Sequence, residues 1–120
     1  MPHAIVNYSA NLTGLEQDKL LKQINSSLSA TDLFSANDIK TRIFKDEFFL
    51  VGLGEAKEAY LHLKLYLLSG RTDAQKQLLG EQLLAVLNQK AYLAAHVDFS
   101  IQCCVEVIDM PREYYFKATI

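Results

Sequence analysis

The chain has 120 residues, half of them hydrophobic and 22% charged, with a formal net charge of −2. That composition fits one folded domain over residues 1–120, and it lacks the basic excess that a nucleic-acid binder needs to neutralise phosphates. No apolar run reaches membrane-spanning length. The first residues lack the charged-then-apolar order of a signal peptide, so a cytoplasmic protein without a membrane partner is expected. A domain this small buries a core but gains stability from oligomerisation.

The chain opens Met1-Pro2-His3, and residues 3 to 8 read as a strand. Ala4, Val6 and Tyr8 fall on one face; His3, Ile5 and Asn7 fall on the other. Removal of Met1 would leave Pro2 as a secondary amine at the head of this strand, a candidate general base or acid. Thr13-x-x-Glu16 has the spacing of a capping box. A helix over residues 14 to 29 follows, with Leu20, Leu21, Ile24 and Leu28 as its apolar stripe. Residues 30 to 38 form a linker with room for one helical turn.

The second strand begins near Ile39, where Ile39, Thr41 and Ile43 alternate with Lys40, Arg42 and Phe44. Lys40 and Arg42 therefore share a face, and two neighbouring cations repel unless solvent or an anion separates them. Phe48 to Val51 reads as a continuation or a hairpin arm, closed by the loop Gly52-Leu53-Gly54. The third strand is the clearest: Leu61, Leu63, Leu65 and Leu67 alternate with Tyr60, His62, Lys64 and Tyr66. Leucine is a modest strand former, but strict alternation outweighs propensity.

The turn Ser69-Gly70-Arg71-Thr72 leads into a second helix over residues 73 to 95, with Thr72 as N-cap and Leu79, Leu83, Val86 and Leu87 buried. Gly80 inside it suggests the close approach of another backbone. The fourth strand, residues 99 to 108, turns Phe99, Ile101, Cys103, Val105 and Val107 to one side. Tyr114, Tyr115 and Phe116 near the end suit burial against a neighbouring subunit. Adjacent Cys103 and Cys104 point to opposite strand faces and are poorly placed to bridge. His3, His62 and His96 form no ligand motif, so no metal is expected.

The order is strand, helix, strand, twice over. Right-handed crossovers would place both helices on one face of a four-stranded mixed sheet, an α+β subunit. The other face would need a cover, most simply a second subunit.

The start Met-Pro-His-x-x-Val-x-Tyr-Ser resembles the 5-carboxymethyl-2-hydroxymuconate isomerase family of the tautomerase superfamily. Ala30-Thr31-x-x-Phe34, Ile39-Lys40-Thr41-Arg42, Ser69-Gly70-Arg71-Thr72 and Phe116-Lys117 extend the resemblance along the chain. It implies a β-α-β-β-α-β subunit, a homotrimer, and no metal or organic cofactor. It also implies proton transfer by the amino-terminal proline, Pro2, on an unsaturated 2-hydroxy/2-oxo carboxylate. Arginines would hold the carboxylates. Where the family's second strand carries two arginines around a small residue, this chain has Lys40 and then Arg42. Lysine keeps the charge but lacks the planar fork that matches a carboxylate.

The chemistry is coherent on its own terms. An α-amino group is far less basic than lysine, and burial or nearby cations lower its pKa further. Lys40, Arg42 and Arg71 would supply such cations, hold an anionic substrate and stabilise a developing enolate. Arg71 also precedes a helix N-terminus, where free N–H groups favour anions. Two other readings keep the fold: a non-catalytic trimeric anion-binding homologue, and a promiscuous tautomerase of small enols.

Overall fold

The computed structural model describes all 120 residues. Its strands are β1 (His3–Ser9), β2 (Lys40–Asp46), β3 (Glu58–Leu68) and β4 (Ser100–Met110). Its helices are α1 (Gln17–Ser29) and α2 (Asp73–Asn88), with short 3-10 turns at Ala36–Asp38 and Arg112–Tyr114. The sheet order is β2-β1-β3-β4. β1 pairs parallel with β2 and antiparallel with β3, and β3 pairs parallel with β4. The sheet is therefore mixed, with two β-α-β units joined at its centre.

Alternation decides which side of the sheet is covered. Ala4, Val6, Leu61, Leu63 and Leu65 are completely buried and pack with Leu20, Ile24, Leu79, Leu83 and Leu87 of the helices. Each such leucine contributes about 1.5–3 kcal/mol through removal of its apolar surface from water. β3 lies in the interior of the sheet, so burial and not intrinsic preference keeps its leucines extended. The opposite face carries His3, Ile5, Arg42, Phe44, His62, Lys64, Cys104 and Glu106, and no element of the chain covers it.

Both helices are shorter than periodicity suggests, for one shared reason. Residues 14–16 and 92–94 pair with each other: Glu16 N–H donates to the Tyr92 carbonyl at 2.8 Å, and Ala94 N–H to the Gly14 carbonyl at 2.8 Å. The backbone groups expected to begin α1 and extend α2 are engaged across the fold instead. α1 accordingly starts at Gln17, and the Thr13/Glu16 capping box does not form; Glu16 is the N-cap and makes no side-chain cap bond. α2 ends at Asn88, and Lys90 takes a left-handed φ of 59°. Its start is as expected: Thr72 and Gln75 form a reciprocal capping box.

Two further expectations change. Phe48 to Val51 is loop, not strand; Gly52 and Gly54 turn with φ of 57° and 78°, and Phe48 is fully exposed. Gly80 meets no close backbone. A Cβ there would find Val107 Cγ2 at 3.7 Å, an ordinary contact.

Candidate active site

Strand directions gather four chain segments at one end of the sheet. His3 at the start of β1 lies beside Lys40 at the start of β2 and beside Tyr66 near the end of β3. Because β4 runs parallel to β3, its end lies at the same edge, with Leu68 opposite Met110. The amino terminus, the linker before β2, the turn before α2 and the carboxy-terminal tail therefore converge.

Pro2 is buried at the centre of this convergence, and its carbonyl accepts the Lys40 N–H at 3.1 Å. With Met1 attached, its nitrogen belongs to a peptide bond. Lys40 Nζ donates to the Asp38 carbonyl at 3.0 Å and lies 3.8 Å from Met1 Sδ. Lys117 Nζ approaches the same sulfur at 3.2 Å and lies 3.5 Å from Asp38 Oδ1. Arg71 donates from Nη2 to the Leu33 carbonyl at 2.9 Å, and its guanidinium lies 4.9 Å from the Phe34 ring centre. That stacking fixes the side chain and leaves its charge close to the terminus.

The electrostatics follow from this crowding. Burial pushes the pKa of the chain's terminal amine down; Asp38 opposes the shift, while Arg71, Lys117 and Lys40 reinforce it. Lys40 and Arg71, singled out in the sequence, thus meet at the amino terminus. Arg42 does not reach that cluster within one chain. It sits opposite Ile5, two residues further along the sheet, and its Nη1 is 3.3 Å from His3 Nδ1.

His3 links this position to the tail. Its Nε2 is 2.8 Å from the Tyr115 hydroxyl. Arg42 can only donate, so Nδ1 accepts and Nε2 carries the proton given to Tyr115. Burial, then Arg42, Lys40 and the terminal amine, push the His3 pKa down. The unfolded chain therefore takes up this proton first. The contribution of neutral His3 to stability is complete above its ordinary value of 6.5 and declines as pH falls below it.

Sequence reasoning assigned no role here to Asp38, Lys117 or Tyr115. A signal existed in the strand order, because a parallel β3/β4 pair returns the tail to the start of β1. Phe116-Lys117 marked the tail only as part of the family resemblance, with no place in the site. A groove bounded by Leu21, Asn25, Ala36, Ile39 and Thr41 lies between α1 and β2, on the helix side, and contains none of the converging groups.

A family model described as 5-carboxymethyl-2-hydroxymuconate isomerase matches residues 2–119, nearly the whole chain. The chain belongs to this family. Among curated proteins it is similar to the 5-carboxymethyl-2-hydroxymuconate Delta-isomerase of Escherichia coli. The two are 29% identical over 96 residues, which span 79% of this chain and 75% of that protein. The crystal structure of a 5-carboxymethyl-2-hydroxymuconate isomerase from Deinococcus radiodurans R1 has the same fold. Its TM-score is 0.88 at 24% identity, over 99% of this chain and 90% of that one. A fused 4-OT described as a symmetric trimer shares the fold at a TM-score of 0.60 and 18% identity, over 92% and 87% of the two chains. The family and the shared architecture place the chain among tautomerase-type isomerases with two helices on a four-stranded mixed sheet.

Proposed function

We propose that the protein is a cofactor-independent isomerase whose amino-terminal proline moves a proton in an unsaturated 2-hydroxy/2-oxo carboxylate such as 5-carboxymethyl-2-hydroxymuconate. The observation that carries this reading is the position of Pro2, buried where Lys40, Arg71, Lys117 and Asp38 converge on the terminal amine. Loss of Met1 frees the Pro2 nitrogen as a secondary amine in those surroundings. Burial and the same cations favour the neutral form of such an amine, against the opposing charge of Asp38, and a general base acts in its neutral form.

The neutral amine takes the proton of the 2-hydroxyl, whose oxygen becomes the carbonyl. The conjugated double bonds shift, and the ammonium returns the proton to a distal carbon. Lys40 and Arg71 hold carboxylate and stabilise the charge that develops on the enolate oxygen. Arg42, on the uncovered sheet face, joins a substrate site through assembly. A homotrimer is the arrangement we infer, because that face exposes Phe44 at 51% and the chain does not cover it. The fused 4-OT trimer of the same fold supports the inference.

Intact mass and a spectrophotometric tautomerase assay test the catalytic reading. Active protein should lack the mass of Met1, and Pro2→Ala should lose about 10²–10⁴-fold in kcat/KM. Equal activity of Pro2→Ala and wild type would remove the proline mechanism. The second reading is an anion-binding homologue without catalysis, in which Met1 stays attached and the Pro2 nitrogen remains an amide. Retention of Met1 in protein purified from its own host would select it.

A further inference from the structure

We infer that Lys117, on the carboxy-terminal tail, is a specificity-determining residue that binds a second carboxylate of the substrate. The inference rests on the reading of Pro2 as the reacting group. It starts from what Met1 occupies. The thioether of Met1 lies between two ammonium groups, 3.2 Å from Lys117 Nζ and 3.8 Å from Lys40 Nζ. A thioether is a weak acceptor and an unusual partner for two cations. Removal of Met1, which the proline mechanism requires anyway, opens the space on which both lysines converge. A carboxylate placed there would receive two charge-assisted hydrogen bonds.

The resting partner of Lys117 is readily exchanged. Its only carboxylate contact is Asp38 Oδ1 at 3.5 Å, with the two side chains 40% and 43% exposed. Solvent screens such a pair, which holds Lys117 only weakly. The balance of charge points the same way. Lys40, Arg71 and Lys117 face the terminus against the single carboxylate of Asp38, an excess of two positive charges when the amine is neutral. That excess exceeds what a monocarboxylate enol would neutralise, and it suits a substrate bearing several carboxylates.

The tail is also held in place to do this. Tyr115, two residues before Lys117, is fixed by the hydroxyl contact to His3 Nε2 at 2.8 Å and by edge-on packing of the rings at 5.9 Å. Lys117 is thus presented from a tethered segment and not from a free end.

The test compares Lys117→Met with wild type, both freed of Met1, on 5-carboxymethyl-2-hydroxymuconate, with three carboxylates, and phenylenolpyruvate, with one. Any general effect of the lost charge on the Pro2 amine acts on both substrates and cancels in the ratio. KM for the tricarboxylate should rise about tenfold more than KM for the monocarboxylate, as loss of one charge-assisted hydrogen bond predicts. Lys117→Arg should restore most of the difference. An unchanged ratio overturns the assignment. A separate arm does not depend on turnover: calorimetric titration with the unreactive tricarballylate, repeated in a Pro2→Ala background. Weaker binding by Lys117→Met supports the subsite even if the proline mechanism fails. Equal binding by the two proteins overturns the subsite and leaves the proline mechanism standing.

Discussion

The two faces of the sheet are built from the same strands and obey opposite rules. On the helix side, Leu61, Leu63 and Leu65 are fully buried. On the other, their immediate neighbours His62, Lys64 and Tyr66 remain partly exposed. His62 pairs with Glu106 at 2.6 Å, and Tyr60 donates to Asp46 at 2.5 Å. Burial, with the Asp46 bond and charge, pushes the Tyr60 pKa up to about 12. The covered face resembles a finished core. The open face is polar, locally satisfied and interrupted by Ile5 and Phe44, and it is the face that we propose meets another subunit. One face therefore stabilises the chain, and the other is available for association.

The largest effect that tests this contrast is at adjacent positions on β3. Leu63→Ala should cost about 2–5 kcal/mol through lost burial and an unfilled cavity. In dilute, unassembled protein, Lys64→Ala should change stability by no more than about 0.5 kcal/mol. Denaturant unfolding of both variants decides it. A comparable loss at Lys64 would mean that the open face is covered as tightly as the helix side.

Cys103 and Cys104 sharpen the same contrast chemically. Burial first, and the neighbouring Cys104, push the Cys103 thiol up, and that thiol lies against the core. Cys104 is exposed on the open face. A thiol reagent should modify Cys104 first in dilute protein, since the thiolate is the reactive form. At concentrations where sedimentation equilibrium reports a trimer, Cys104 should become protected. Labelling of Cys104 that ignores concentration would remove that face from the subunit contact.

The smallest effect lies at Gly80. The space around it accepts a methyl group, with Val107 Cγ2 at 3.7 Å. Gly80→Ala should therefore stabilise α2 by about 0.5–1 kcal/mol through reduced backbone freedom in the unfolded chain. Thermal unfolding would register it as a modest rise in Tm. A fall would show that the helix packs more closely on β4 than the contact suggests.

What the sequence determined by itself was local. Period-two alternation placed Leu61 to Leu67 on one side of a strand, and three- and four-residue spacing placed Leu20, Ile24 and Leu28 on one side of a helix. Thr72 was legible as an N-cap because its bonds close within one turn. The Pro2 opening and the motifs near Lys40 and Arg71 pointed to the family, which the match over residues 2–119 establishes. Tertiary structure decided whatever depends on distant partners. The pairing of residues 14–16 with 92–94 shortened both helices, because backbone groups bonded across the fold cannot also extend a helix. Strand order brought Lys117 and Asp38 to the amino terminus and set Arg42 apart from it. Those residues are separated by up to 116 positions in the chain, as Lys117 and Met1 are. No local pattern encodes such a contact, since it follows from the directions in which four strands are laid side by side.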